Sequence, residues 1–435
     1  MKYRILFVIL FFASAIFSQS KIEYLKDISA NLTYEEVAKE EFKPLEKQIL
    51  EKHSNTVYWF KIPAYATDSK YIVRILYERI RNANVYQNGK IVEKLENQRY
   101  LSYRFTRDND LYIRVAPKLH SYIPIEFDVE ETSVLKEKNQ LLFNGFYYGF
   151  ALLIIIYNLC YYFLFKDDAF LYYSLFLSSI ALGIFTLDGM LNYLMVGESV
   201  NDFIMILTYI SLAFFSSKFV NSYLFLEEHY PKLKKFSYLV GILIIIFGIL
   251  YLVLKDYYCL LLLNISVFSL LFIYWFSSIL LFRKNIYSKI LAFAYVIILF
   301  SGIDFYIFKF LGISFGNLGP VGIKIGAFLE MIILSVAVLY RMNVLKEENV
   351  QMTNDIIKFS KELEKRDALK SKIDFLSLRE REIFDLIVLI KTNKEIASDL
   401  NVSVNTVKFH VKNIYEKLEV NSRKEVLSIA GSTVK

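Results

Sequence analysis

The hydrophobic pattern divides the chain into zones with different periods. From about residue 141 to residue 340, apolar residues run in long stretches broken by short polar clusters. Seven of these stretches are long enough to cross a bilayer as helices: 141–165, 169–187, 200–224, 236–254, 259–282, 290–308 and 321–340. The zone before them, roughly 21–131, is polar and mixed, with short alternating segments at 56–62, 71–77, 83–86, 91–94, 111–115 and 123–129. Alternation of this kind predicts half-buried strands, and Gln87-Asn88-Gly89-Lys90 carries the Asn-Gly pair of a tight hairpin. A β-sandwich or jelly roll is therefore expected over 20–135, and a seven-helix membrane bundle over 141–340.

Beyond the last apolar run the period becomes helical. Met342, Asn349, Ile356 and Leu363 form one heptad row, and Leu345, Met352 and Phe359 form the other, with Ile373 rejoining it later. These rows are the a and d positions of a coiled coil over 341–373, and Asn349 at an a position favours two strands in register. Arg366 and Lys370 fall on the seam, so its distal end should be weaker. A parallel homodimer is the expectation, and a single charged linker helix is the alternative.

Residues 374–435 predict four short helices from their caps. Ser377, Thr392 and Ser422 are each followed three places on by a glutamate (Glu380, Glu395, Glu425), the signature of a capping box. Ser403 is an N-cap without such a partner. The Thr392 and Ser403 caps are spaced for one short helix, a tight turn and a second helix, as in a helix-turn-helix. In that second helix Val404, Val407, Val411, Ile414 and Leu418 make an apolar stripe, opposite Asn405, Lys408, Phe409, Lys412 and Glu416. Two lysines one turn apart beside an aromatic suit phosphates, guanine edges and thymine methyls in a major groove. An ordinary solvated amphipathic helix is the alternative, since acidic residues nearly balance basic ones in this segment.

Composition and charge sharpen the membrane reading. Hydrophobic residues make up 55% and aromatics 17%, with 38 Phe and 33 Tyr, well above a soluble average. Lys2 and Arg4, an apolar run over 5–12 and small residues over 13–18 predict a signal peptide at 1–19. Export of the β-domain and seven crossings would leave the C-terminus in the cytoplasm. Lys166, Lys232, Lys234, Lys235, Arg283, Lys284 and Lys289 then fall on inner loops, while Lys255 and Lys309 fall in or beside outer ones.

Candidate chemistry is sparse. Cys160 and Cys259 sit at different depths and should not pair. The four histidines are scattered, and no metal-ligand spacing, phosphate loop, nucleophile with a base, or kinase signature occurs. Neither an enzyme nor a cofactor or metal is expected. Tyr58, Trp59, Tyr65, Tyr103 and Arg104 could line a surface for a small ligand such as a carbohydrate, or half of them could fill the sandwich core. Asp188, Asp202, Lys218, Asp304, Lys324 and Glu330 lie within crossings and should face the bundle interior. Asp304 and Lys324 are an expected pair. Glu330, near mid-membrane, is a candidate for a ligand pocket or a switch, with a structural contact between helices as the alternative.

Two resemblances add to this. Leu378, Arg379, Glu380, Arg381 and Glu382, then Asn393, Lys394, Glu395, Ile396 and Ala397, then Thr406, Val407, Lys408 and His410, then Asn413, Ile414, Lys417 and Leu418 resemble the LuxR-type (NarL/FixJ) helix-turn-helix. The resemblance implies that Lys408, Phe409 and Lys412 face bases or phosphates, with Asn405, Thr406 and Lys394 in the same DNA-facing set. It also implies that the segment from Ser422 to Ala430 dimerises. One position departs: Ile390 stands where the family favours glycine. The runs at 57–62 and 84–90, the Gly145-to-Asp168 stretch and the Glu330-to-Arg341 stretch resemble the bacterial 7TMR-DISM receptors. Those are seven-helix receptors with an extracellular domain thought to sense carbohydrate or similar small ligands. Together these imply a multi-pass protein of the bacterial inner membrane that senses an extracytoplasmic or intramembrane ligand and binds double-stranded DNA. A transporter or other membrane protein with an autoregulatory or partner-binding C-terminal domain is the alternative.

Overall fold

The computed structural model describes residues 22–46, 48–51, 56–117, 121–283, 286–311 and 319–433. The expected signal peptide lies outside the described residues, as do His53, His120 and Lys284. The chain divides into two compact units, one ending at Arg341 and the other starting at Met342.

The first unit begins with a sandwich. Its strands are β1 (Glu23–Asp27), β2 (Lys43–Pro44), β3 (Ile49–Glu51), β4 (Val57–Ile62), β5 (Lys70–Ile75), β6 (Asn84–Gln87), β7 (Lys90–Ile91), β8 (Leu101–Thr106), β9 (Leu111–Val115), β10 (Ser121–Ile123) and β11 (Ile125–Val129), with a short helix α1 (Tyr34–Val37) after β1. They form an antiparallel sheet in the order β2-β1-β4-β9-β6-β7, a second in the order β11-β5-β8, and the pair β10-β3. Asn88 (φ 53°) and Gly89 (φ 71°) are both left-handed, the geometry of the two-residue hairpin between β6 and β7.

β4 is buried along almost its whole length because the larger sheet is covered on both faces. Tyr58, Phe60 and Ile62 enter the core shared with Val73, Ile75, Tyr103, Phe105 and Phe127 of the smaller sheet. Val57 and Trp59 point the other way, into a second cluster with Val37 of α1 and Tyr112 of β9.

The bundle follows without a linker, since β11 ends at Val129 and α2 (Glu130–Phe165) begins at the next residue. Then come α3 (Asp168–Leu187), the single turn α4 (Met190–Tyr193), α5 (Glu198–Leu224), the single turn α6 (Leu226–His229), α7 (Pro231–Leu254), α8 (Tyr257–Leu280), α9 (Ile286–Leu311) and α10 (Gly319–Asp374). Seven of these helices are long and apolar enough to cross a membrane. Asp167 caps α3 by accepting from the Ala169 N–H, and Asp256 caps α8 by accepting from the Tyr258 and Cys259 N–H groups. Both cysteines are free. α10 is one unbroken helix of 56 residues, so the last crossing and the heptad segment are a single element.

The second unit adds α11 (Leu378–Val388), α12 (Asn393–Asp399), α13 (Val404–Leu418) and α14 (Arg423–Thr433) around one core, including Ile383, Ile387, Ile396, Val407, Ile414, Leu418 and Val426. Capping boxes close α11 and α12. At α14 the arrangement shifts by one residue: Glu425 accepts from the N–H of Asn421 and from the Ser422 hydroxyl.

Candidate nucleic-acid interface and membrane sensor

α13 forms because a cap, a stripe and a stop coincide. Ser403 Oγ accepts from the Thr406 N–H at 3.1 Å. Val407, Val411, Ile414 and Leu418 are buried, and the helix ends at Glu419 in the left-handed region (φ 56°). α12 ends in a Schellman turn: the Asn401 N–H donates to Ser398 O and the Val402 N–H to Ala397 O, with Asn401 at φ 55°. That turn sets the direction of α13 relative to α12.

The polar face of α13 is open to solvent. Asn405, Thr406, Lys408 and Lys412 are exposed, Phe409 is 61% exposed, and Lys394 is exposed on α12. Among the described residues Lys412 has only a loose intrahelical partner, Glu416 at 3.7 Å. Other bases of the domain are committed: Lys391 to Asp399 (2.6 Å), Arg381 to Asp374 (3.0 Å) and Lys417 to Glu380 (2.6 Å). An exposed Phe flanked by lysines is costly in water and suited to contact with base methyls and phosphates.

Ile390 adopts the conformation that glycine would have supplied. Its φ is 64°, its N–H donates to Ile387 O, and the Lys391 N–H donates to Leu386 O, a complete Schellman turn ending α11. The turn survives the missing glycine at the cost of strain in a β-branched residue.

In the heptad segment Met342 and Leu345 are partly buried and Asn349 is exposed. Met352, Ile356, Phe359 and Leu363 are 58–65% exposed, so beyond Asn349 the two rows form an apolar stripe open to solvent.

The proposed ligand residues of the sandwich are placed differently from one another. Tyr58 (0% exposed), Trp59 (1%) and Tyr103 (4%) are core residues and do not offer their rings to a ligand. Alternation turns each of them between packed layers. The Tyr58 hydroxyl donates to Glu51 and that of Tyr103 to Ala83 O. Arg104 is exposed and paired with Glu130 at 2.5 Å, and Tyr65 is exposed beneath the Arg107 guanidinium.

In the bundle, Lys324 pairs with Asp188 (2.7 Å) rather than with Asp304. Asp188 stands at the sandwich end of α3, level with the first turns of α10, and Lys324 also donates to Asn144 Oδ1 of α2 at 2.8 Å. Tyr148 donates to the other Asp188 oxygen. From the sandwich, Arg99 donates to Asp188 O (3.2 Å) and forms a two-pronged pair with Glu137 of α2 at 2.6 and 3.0 Å. Gly189 is forced here, because a Cβ at its φ of 71° would lie 2.7 Å from Arg99 O. A continuous polar chain thus joins the sandwich to α10.

Lower on α10, Glu330 is fully buried, and neither carboxyl oxygen has a hydrogen-bond partner among the described residues. At the opposite end of the bundle from the sandwich, Arg341 is 2% exposed. It pairs with Asp167 (2.5 Å), donates to Tyr223 O (2.9 Å) and Ser222 O (2.8 Å), and lies over the Phe225 ring. Sequence reasoning missed Arg99 and the anchoring role of Arg341. The signal for Arg341 was available, as a lone arginine ending the last apolar run.

Comparison with known families places each part. Residues 140–341 match the family described as 7TM diverse intracellular signalling, and residues 19–134 match 7TMR-DISM extracellular 2. Residues 374–430 match the bacterial regulatory proteins of the luxR family. The chain belongs to the 7TMR-DISM receptors and ends in a luxR-family domain. The spore germination protein GerE of Bacillus subtilis is 48% identical to the receptor over 52 residues, 12% of this chain and 70% of that protein. The transcriptional regulatory protein LiaR of Bacillus subtilis is 50% identical over 48 residues, 11% of this chain and 23% of LiaR. The putative HTH-type transcriptional regulator YhjB of Escherichia coli is 46% identical over 48 residues, 11% of this chain and 24% of YhjB. The receptor thus spans about a quarter of the length of two of these relatives. It is a multi-pass membrane protein that carries a DNA-binding helix-turn-helix domain.

Proposed function

We propose that the receptor is a one-component transcription regulator of the bacterial inner membrane. Its sandwich faces the extracytoplasmic side and its helix-turn-helix faces the chromosome. A ligand at the sandwich or within the bundle shifts the packing of α10, and α10 delivers the change to a pair of α13 helices. The observation that carries this reading is the continuity of α10, which contains Lys324, Glu330, Arg341 and the exposed heptad seam in one helix.

Two receptors pair in parallel through that seam, burying Met352, Ile356, Phe359 and Leu363, which stand open to solvent in the single chain. Dimerisation sets two recognition helices about one DNA turn apart, and Lys394, Asn405, Thr406, Lys408, Phe409 and Lys412 make the contacts. A ligand alters the output only by favouring one packing of the bundle over another. The chain from Arg99 through Asp188 to Lys324 gives sandwich occupancy a route to such a preference. A buried guanidinium such as Arg341, held by one carboxylate and two carbonyls, supports two discrete arrangements better than a continuum.

Chromatin immunoprecipitation of the full-length receptor, with transcript profiling, tests the reading. Discrete genomic peaks lost in a Lys408→Ala, Lys412→Ala variant that still reaches the membrane support it. An unchanged transcript profile and no peaks reject it.

A further inference from the structure

Among the described residues, the bundle holds a partly open cavity of about 120 Å³ bounded by α3, α5, α8, α9 and α10. Phe176, Ile180, Leu212, Leu271 and Ile298 give it an apolar wall. Its rim is polar and includes Arg79, which follows β5 in the sandwich and reaches into the bundle. One guanidinium nitrogen of Arg79 donates to the Tyr251 hydroxyl at 3.2 Å, and the other terminal nitrogen meets the Met205 thioether. The nearest Glu78 oxygen is 3.8 Å from Nε, beyond hydrogen-bond reach. Asp202, the other carboxylate on this rim, is taken by Lys255 at 2.6 Å.

A mostly buried guanidinium is satisfied best by a two-oxygen anion, and a tyrosine hydroxyl with a thioether is a poor substitute. The apolar space beneath it has the opposite need. A dry cavity forfeits dispersion contacts along its walls, and only an apolar occupant restores them. We propose that this cavity binds a single-chain amphiphile, whose anionic oxygen head pairs with Arg79 and whose tail lies between α3 and α5.

The size is consistent. The lining runs from Phe176 to Leu187 on α3 and from Asn201 to Leu212 on α5, each about 16 Å at helical rise. A cavity of about 150 Å³ takes one benzene ring, so about 120 Å³ encloses on the order of five carbons of a tail, and the open wall between α3 and α5 takes the rest. Arg79 belongs to the sandwich and Ala327, on the cavity wall, belongs to α10. The occupant therefore bridges the exported domain and the output helix. This inference rests on the ligand-controlled reading above and names the ligand class for it.

Binding of radiolabelled decanoate to the full-length receptor in phosphatidylcholine nanodiscs, measured against empty discs, tests the proposal. Saturable binding is expected, with decanol and butanoate competing at least tenfold more weakly. Arg79→Gln should weaken decanoate at least tenfold, and Arg79→Lys should retain part of the affinity. Discs containing lysophosphatidylglycerol, a single-chain anionic lipid, distinguish the source. Loss of decanoate binding there assigns the site to a bilayer lipid, and retention assigns it to a free acid, with the anionic amphiphile sustained either way. Decanol binding as tightly as decanoate in the wild-type receptor overturns the proposal, as does an Arg79→Gln receptor that binds like wild type, or no saturable binding in either disc. A promoter reporter separates the two claims. Decanoate that binds and leaves output unchanged sustains the site and counts against ligand control of transcription.

Discussion

Glu380 ties the start of α11 to the last turn of the recognition helix, and its loss should be measurable as a pH-dependent fall in stability. The residue is 4% exposed. Its Oε2 accepts from Lys417 Nζ at 2.6 Å and from the Ser377 N–H at 2.8 Å. Burial pushes the carboxyl upward, but the Lys417 ammonium and the Ser377 groups outweigh burial and hold it down at about 2, against an ordinary value of 4.5. At 1.36 kcal/mol per unit, that difference sets an upper bound of about 3 kcal/mol on the charged form's contribution. Lys417 is 43% exposed, and solvent screening of its charge reduces this to about 1–2 kcal/mol.

The folded-state pKa is depressed, so the contribution is complete above 4.5 and is lost as pH falls toward 2. Glu380→Gln should therefore be less stable than wild type by about 1–2 kcal/mol at neutral pH. The gap should narrow below pH 4.5 and close near pH 2. Urea unfolding of residues 342–435, followed by circular dichroism at a series of pH values, reads this directly. Glu395 and Glu425 are also held low by their cap hydrogen bonds, but they titrate in both proteins and cancel in the difference. A gap that is absent at pH 7, or that stays constant down to pH 3, would refute the reasoning.

Ile390→Gly removes the left-handed strain of a β-branched residue and should raise the stability of the C-terminal unit by about 1 kcal/mol in the same urea assay, despite the added freedom of the unfolded chain. Ile356→Cys in a Cys160→Ser, Cys259→Ser background should give an oxidised dimer on non-reducing gels, whereas Lys358→Cys, off the seam, should give much less. Arg341→Ala leaves Asp167 without its partner and should cost about 3–5 kcal/mol of bundle stability, read as a lower melting temperature of the purified receptor. Asp167→Asn, which keeps a hydrogen-bond acceptor, should cost less.

Long and repetitive patterns were legible in the sequence, and pairings between distant segments were not. The seven crossings and the four C-terminal helices followed from run length and capping residues, which act locally. No strand is expected over 101–106, although Leu101, Tyr103 and Phe105 of β8 alternate into the core. The aromatic and arginine at 103 and 104 suit a ligand surface equally well by sequence alone. Tyr58 and Trp59 are both buried because the larger sheet is covered on both faces, Tyr103 of the smaller sheet faces the core between the two sheets, and a single strand's sequence does not reveal the opposing layer. Lys324 pairs with Asp188 rather than Asp304 because the turn after α3, with Gly189 packed on Arg99, brings Asp188 to the first turns of α10. Arg79 and Arg99 interact across more than eighty residues of sequence, so no local period marks them.

The central claim is that the exposed face of α13 reads DNA sequence. Fluorescence anisotropy of residues 342–435 on genomic promoter fragments, at physiological salt and with a competitor of random sequence, measures it most directly. The account predicts selective binding that weakens at least tenfold in the Lys408→Ala, Lys412→Ala variant, with a shallower salt dependence as phosphate contacts are lost. Equal affinity for promoter and random DNA, or a double variant that binds as well as wild type, would contradict it.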